Sequence, residues 1–450
     1  MEIPPPRFRG DGETEVSMKK FWNETAETMP EEALRALQLA KLKETIAWVY
    51  EKVPFYRAKF EEHGVIPGDI QNLEDLACLP FTIKSDLRDN YPFGFFAIPP
   101  EACVRIHASS GTTGKPITGG YTKDDMVQWG ECMARTFWAA GIRPDDICQN
   151  TYNMGLFTGG LGFLLGTETL GATLVPAGAG QTERQIILIQ DFKTTVVYGT
   201  PSYALTLTEK AAEIGVDLRG TSLRIGVFGA EPWSEEMRRE IETRMGIVAM
   251  ESYGLTEMGG PGVAFSCAEK KGLHINEDYF IAEVIDPVTE EPLPLGEKGE
   301  LVLTAIRRRA MPLIRYRVRD LTRLYREPCA CGRTLLKMDR VAARSDDMLI
   351  VNGVNLYPSQ IESILLDIPE VSPQYVIVVS KKGYLDRLAV DVEARREIYD
   401  LGEAKLREIE AKIQNRIKGV IGLSAHVRVV PYKVIERSEG KAKRVIDHRH

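Results

Sequence analysis

Past Gly120 the chain alternates polar, helix-like stretches with short apolar runs rich in β-branched residues. Examples are ATLVPA (172–177), TTVVYGTP (194–201) and LRIGVFGAEP (223–232). Each run ends in Gly or Pro before the next polar stretch. Strands that alternate with helices return to the same end of a sheet, so α/β layering around a largely parallel sheet is expected. Functional loops should then lie at the carboxyl ends of the strands.

Two other textures bracket that region. EEALRALQLAKLKETIAWVYEKVPFYRAKFEEHG reads as helix, broken near Pro54. After about residue 280, YFIAEVIDPVTEEPLPLGEKGELVLTAI reads as strands joined by turns, one at Asp286-Pro287. RSDDMLIVNGVNLYPSQIESILL then reads as a strand, a Gly turn and a helix. YVIVVS, RLAVDVEA, a charged helix from about Tyr399 to Lys418, and HVRVVPY complete a small α+β unit. The 450 residues therefore divide near Ser345 into a large domain, 1–344, and a small one, 345–450. By itself the tail RSEGKAKRVIDHRH passes for a frayed end.

Composition narrows the function classes. Hydrophobic residues make up 44% and charged residues 27%, the profile of a soluble globular protein. A net charge of -7 argues against nucleic-acid binding. No apolar span suits a bilayer, and the first residues lack the apolar core of a signal peptide, so a cytoplasmic location is expected. Seven cysteines, an odd count, argue against a disulfide framework. Cys78, Cys103, Cys132 and Cys148 read as core fillers.

HASSGTTGKPITGGYT (107–122) is rich in groups that bind anions. Ser109, Ser110, Thr112 and Thr113 surround Gly111 and Gly114, and Lys115 follows. Glycines let backbone N–H groups converge on a phosphate, and hydroxyls and an ammonium add to them. It is not an ordinary P-loop: two residues separate the glycines and Pro116 follows the lysine. A plain Gly/Ser/Thr connection is the equal alternative. FGAEPW (228–233) and ESYGLTEMGGPG (251–262) follow strand-like runs. Tyr253 can offer a flat face to a purine, and Thr256 and Glu257 can reach a phosphate and Mg²⁺. Taken singly, each is as well read as a strand-end aromatic or a solvated acid.

SSGTTGKP, GAEPW, SYGLTE, YRVRDL, RSDDMLIVNGVNLYPSQIE and EGKAKRVID together resemble, in order, the motifs of the adenylate-forming enzymes: acyl-coenzyme A synthetases, adenylation domains and luciferases. PFYRAKFEEHGV, LPFTIKSDLRDNYPFGFFAIP, GLFTGGLGF and GLHINEDYF narrow the resemblance to the phenylacetate–coenzyme A ligase family, from roughly residue 20 to the C-terminus. The resemblance implies an α/β fold: a large multi-subdomain α/β domain and a small mobile α+β domain. It implies ATP-dependent ligation of an aryl acid, phenylacetate or a close analogue, to coenzyme A through an acyl-adenylate, with AMP and pyrophosphate released. An adenylating relative that does not use coenzyme A and a non-catalytic nucleotide-binding relative are the alternatives.

The same resemblance distributes roles. The Ser109–Lys115 loop would hold the β- and γ-phosphates of ATP. Ala230, Glu231 and Pro232, with Ser252, Tyr253 and Gly254, would line the adenine site. Thr256 would touch the α-phosphate, Glu257 would hold Mg²⁺, and Asp320 would accept the ribose hydroxyls. Arg344 would reach the nucleotide, although Ala343 stands where the family often has Gly. Lys441 matches the catalytic lysine, with Lys443 as an internal rival. Asp346 would be the hinge, and the Gly353 loop would shape the entry of the coenzyme A thiol. Pairing into a homodimer is a further implication.

YNMGLFTGGLGF (152–163) resembles the acyl-pocket segment. Tyr152 and Phe157 would be walls, and Gly159 and Gly160 would leave room for a ring; packed core aromatics are the alternative. Finally, Cys329 and Cys331 in PCACGRT, with Cys267 and His274 in CAEKKGLH, offer three thiolates and an imidazole, a donor set for a closed structural zinc site. Separate unligated thiols are the alternative.

Overall fold

The computed structural model describes residues 19–109, 115–341, 343–352, 354–382, 385–437, 442 and 444–449. The long N-terminal helix, Glu31–Lys52, places Glu31 and Glu32 in its first turn and Lys52 in its last, matching the helix dipole. It gives way at Val53, and Pro54 opens the next helix, Pro54–Glu62. Leu42, Ile46 and Val49 recur on one face and pack beneath the C-terminal strands of the large domain.

The large domain contains β1 (Arg105–Ala108), β2 (Thr118–Tyr121), β3 (Ile147–Asn150), β4 (Thr173–Val175), β5 (Val196–Gly199), β6 (Ile225–Gly229) and β7 (Val248–Leu255). It continues with β8 (Gly260–Ser266), β9 (Leu273–Ile275), β10 (Phe280–Ile285), β11 (Lys298–Ala305), β12 (Tyr316–Tyr325), β13 (Lys337–Met338) and β14 (Ala343–Arg344). The three quoted apolar runs are β4, β5 and β6. One 12-stranded sheet runs β10-β11-β12-β13-β9-β8-β7-β6-β5-β3-β4, with β14 paired to β12.

The expectation of a largely parallel sheet holds only from β4 to β7. From β7 onward the pairings are antiparallel, because short turns replace crossover helices. Asp286 makes one such turn by accepting the Val288 and Thr289 amides at 2.7 and 2.9 Å. β1 and β2 form a separate antiparallel hairpin.

Three helices on the parallel half, Lys123–Ala139, Pro201–Glu213 and Glu235–Met245, start at side-chain caps. Thr122 accepts the Asp125 amide at 3.0 Å while Asp125 accepts that of Thr122 at 2.8 Å. Ser234 Oγ accepts the Met237 amide at 3.1 Å and opens Glu235–Met245. Gly162 and Gly166 of helix Thr158–Leu170 lie against Trp129 and Met133, so this helix sits close on Lys123–Ala139.

The small domain has its own core. The stretch read as one strand folds as two, β15 (Leu349–Val351) and β16 (Val354–Leu356), ahead of helix Pro358–Leu366. Four further strands, β17 (Val371–Lys382), β18 (Leu385–Ala394), β19 (Ala425–Val430) and β20 (Val445–Asp447), form a sheet in the order β19-β18-β17-β20. Helix Glu403–Ile421 covers it with Ile409, Ile413 and Ile417 at helical spacing.

β20 corrects the frayed-tail reading. Val445, Ile446 and Asp447 pair in parallel with Ile377, Val378 and Val379, so the polar tail is held by a ladder that composition does not reveal. Of the cysteines read as core fillers, Cys132 and Cys148 are buried, but Cys78 is exposed and Cys103 half-buried. Among the described residues no helix is long and apolar enough to cross a membrane.

Candidate active site

The Gly-rich segment connects the antiparallel strands β1 and β2, so it does not follow a parallel strand. Its base is closed by Ser109, whose amide donates to Ile117 at 2.8 Å and whose Oγ accepts the Ile117 amide at 2.9 Å. Lys115 is exposed on the returning arm. Ser110, Gly111, Thr112, Thr113 and Gly114 lie outside the described residues, as do Gly353, Lys441 and Lys443.

The hairpin stands against the turn after β7. A Cβ added at Gly119 would meet the Thr256 carbonyl at 3.6 Å. Thr256 Oγ1 lies 3.1 Å from Thr158 Oγ1, at the start of the helix carrying Gly159 and Gly160. Arg308 ties these parts together, donating to the carbonyls of Glu257 at 2.8 Å and Gly120 at 3.0 Å. Its loop is held by Asp125, which accepts the Arg309 and Ala310 amides at 2.8 and 3.0 Å. The buried Glu257 carboxylate accepts the Tyr316 hydroxyl at 3.2 Å. Among the described residues no Lys or Arg forms an ion pair with it.

A second cluster spans β7, β12 and β14. The Tyr253 hydroxyl donates to Asp320 Oδ2 at 2.5 Å, and Arg344 Nη1 donates to Asp320 Oδ1 at 2.8 Å. Asp320 and Arg344 are cross-strand partners. The same guanidinium donates to both oxygens of Asp346, at 2.9 and 3.0 Å. Burial, then the Asp320 charge, holds the Tyr253 phenol well above its ordinary pKa, so it stays a donor.

The third cluster follows β6, at the carboxyl end of a parallel strand. Ala230 is in the left-handed region at φ 71°, and Ala230 and Pro232 are exposed. Glu231 accepts the Ser202 amide at 2.7 Å and, from the small domain, the Ala442 amide at 3.1 Å. Ser252 is buried on β7. Tyr152 packs on Phe163 with ring centroids 4.8 Å apart. Burial, with the Glu231 charge second, pushes its phenol up. Phe157 is exposed. A Cβ at Gly159 would touch only Tyr152, at 3.9 Å, whereas one at Gly160 would strike the Asn153 carbonyl at 2.6 Å. Close backbone packing is therefore sufficient reason for Gly160.

Away from these clusters, one ligand atom each from Cys267, His274, Cys329 and Cys331 lies within 4.8 Å of the others. Cys267 Sγ is 3.7 Å from Cys329 Sγ, and Cys331 Sγ is 3.4 Å from His274 Nε2.

Arg308 and Tyr316 are the site residues that sequence reasoning missed. The RRRAMP run and the first residue of YRVRD carried them, but an Arg run reads as a solvated face until its partners are known.

A family model described as AMP-binding enzyme matches residues 28–306, and one described as AMP-binding enzyme C-terminal domain matches 353–449. Phenylacetate–coenzyme A ligase of Aromatoleum evansii is 50% identical, over 95% of this chain and 97% of its own. Those of Thermus thermophilus and Escherichia coli are each 48% identical, over 94% of this chain and 98% and 97% of theirs. The crystal structure of 2-hydroxyisobutyryl-CoA ligase in the postadenylation state, 30% identical, covers 98% of this chain and 95% of its own with a TM-score of 0.92. The same ligase in the thioesterification state gives 0.71 over the same shares.

Proposed function

This chain belongs to the phenylacetate–coenzyme A ligase family of adenylate-forming enzymes, and on that premise we propose how its residues divide the reaction. The enzyme is an AMP-forming acid–coenzyme A ligase that joins phenylacetate to coenzyme A using ATP. A carboxylate oxygen of the acid bonds to the α-phosphorus as pyrophosphate leaves. The coenzyme A thiol, losing its proton, then bonds to the acyl carbon as AMP leaves.

The difficulty of the first step is bringing a carboxylate to an anionic phosphate, so the site must supply positive charge and donors. In our reading the hairpin loop from Ser109 through Ser110, Gly111, Thr112, Thr113 and Gly114 to Lys115 cradles the outer phosphates. Thr256 donates to the α-phosphate. Ala230, Glu231, Pro232, Ser252, Tyr253 and Gly254 frame the adenine, and Asp320 accepts the ribose hydroxyls while Arg344 fixes its carboxylate. Glu257 is a buried oxygen donor without an ionic partner among the described residues, which suits a hard cation. Glu257 would hold Mg²⁺ there, and the ion would supply charge neutralisation. Tyr152 and Phe157 line the aryl pocket beside Gly159.

The domains divide as 1–344 and 345–450, with Asp346 as hinge. Lys441 bridges carboxylate and phosphate oxygens in adenylation, then withdraws as the Gly353 loop comes in for the thiol. The observation that carries this reading is the 3.1 Å bond from the Ala442 amide to Glu231, which sets the residue after Lys441 on the proposed adenine loop. The higher TM-score to the postadenylation state supports the same orientation. Cys267, His274, Cys329 and Cys331 have the donor set of a structural Zn²⁺ site.

The test is pyrophosphate release across a panel of carboxylic acids, with and without coenzyme A, for the native enzyme and Lys441→Ala. Arylacetic acids should give the fastest release, and Lys441→Ala should lose adenylation but convert supplied phenylacetyl-adenylate to thioester. Normal adenylation by Lys441→Ala would end the assignment.

A further inference from the structure

The two domains meet mainly through charges. Among the described residues, Leu366 of the small domain packs on a large-domain core cluster. The remaining ties include Arg395 to Glu240 at 3.0 Å, Tyr432 to Glu213 at 3.3 Å, Lys433 to Glu213, and Arg437 to Glu209 at 2.9 Å. Arg437 differs from the others in having two jaws that each close on a carboxylate, one in each domain. Nη1 and Nη2 donate to Glu393 of its own domain at 2.6 and 2.8 Å, while Nε donates to Glu209 of the large domain. Glu393, fully buried on β18, also accepts the Ile435 amide at 2.8 Å. This fixes the chain segment that leads, four residues after Arg437, to Lys441.

We propose that Arg437 is a positioning residue for adenylation. Its bond to Glu209 latches the small domain with Ala442 against the Glu231 loop, and releasing it permits the second half-reaction. The proposal rests on the domain alternation and the role of Lys441 set out above.

The two-jawed geometry explains how such a latch can be both firm and reversible. An ion pair broken in a buried place leaves an unpaired charge, which is costly. Here Arg437 keeps Glu393 when the domains part, so only Glu209 must be rehydrated. Glu209 lies on helix Pro201–Glu213 at a cleft of about 630 Å³ that Arg184, Glu213, Lys433 and Arg437 also line. Once the small domain withdraws, that face of the helix is open to solvent. While docked, the pair is largely shielded: the side chains of Arg437 and Glu209 are 15% and 7% exposed. A shielded pair holds orientation better than a surface pair. A mainly polar interface adds little apolar adhesion to oppose separation.

The experiment separates the half-reactions in Glu209→Gln. Adenylation is followed by ATP–pyrophosphate exchange with phenylacetate, and thioester formation from supplied phenylacetyl-adenylate and coenzyme A. Exchange should fall about tenfold, within the range of common coupling effects, while thioester formation stays within about twofold of the native rate or rises. Unchanged exchange, or equal loss in both assays, overturns the latch. A second measurement needs no variant. Raising salt from about 0.05 M to about 0.5 M should slow exchange by native enzyme more than thioester formation, because counterions stabilise the Glu209 carboxylate that the open state exposes and screen its attraction back to Arg437; equal responses also overturn it. Lys441→Ala in the same exchange assay isolates the premise. If it exchanges normally, the reading of the reaction fails; if it is inactive while Glu209→Gln exchanges normally, only the latch fails.

Discussion

The Tyr253 hydroxyl reaches Asp320 across 2.5 Å, and Arg344 takes the other carboxylate oxygen at 2.8 Å. Both oxygens are thus fixed in position, as the proposed ribose-accepting role requires. Asp320→Asn keeps the shape and removes the charge. Hydrogen bonds to charged groups contribute about 1.5–3 kcal/mol, so KM for ATP should rise at least about tenfold. Steady-state kinetics at saturating phenylacetate measures it. An unchanged KM would leave Asp320 with only its strand-pairing role.

Glu251, two residues before Tyr253 on β7, gives the fold a pH dependence. Burial pushes its carboxyl from 4.5 up to about 7, with Arg340 at 3.0 Å opposing only in part. The unfolded chain ionises near 4.5, while the folded chain holds the proton until about 7. Stability should therefore fall as pH rises through that window and stay lower above it. Glu251→Gln imitates the protonated form. Urea unfolding should find the variant more stable than native by roughly 1–3 kcal/mol at pH 8, with the gap closing towards pH 4.5. A gap independent of pH would contradict this.

What the sequence could tell followed from how local each signal was. The apolar runs that became β4, β5 and β6 announce themselves through composition and Gly or Pro ends. β20 does not: Val445–Asp447 is short and polar-flanked, and only its partner β17, more than sixty residues earlier, makes it a strand. The change from parallel to antiparallel pairing after β7 depends on connection lengths that periodicity does not report. In the candidate site, the motif residues could be named because they resemble, in order, those of a known family. Arg308 was not, since its role lies in the carbonyls of Glu257 and Gly120, which no pattern of side chains encodes. The ties of Glu209 and Arg437 were equally hidden, because they exist only once the domains dock.

Gly254 tests how tightly the proposed adenine platform is built. A Cβ there would lie 2.1 Å from the Gly260 carbonyl on the neighbouring β8 backbone. Backbone cannot yield as a flexible side chain can, so Gly254→Ala should destabilise the enzyme by about 2 kcal/mol or more. It should also weaken ATP binding by displacing Tyr253. Denaturant unfolding and ATP titration check the two effects; a variant matching native in both would show that β7 and β8 can separate there freely.

The cluster of Cys267, His274, Cys329 and Cys331 yields a prediction independent of catalysis. It joins the end of β8 and strand β9 to the turn after β12, more than fifty residues further along the chain. A metal there would cross-link them and add its binding free energy to folding. Enzyme purified without chelator should carry about one zinc per chain. Stripping it, or changing Cys331→Ser, should lower the melting temperature by about 5 °C or more, and zinc should restore it only in the stripped native protein. Less than about half an equivalent of zinc after supplementation, with no melting shift on chelation, would leave the four side chains as neighbours that bind no ion.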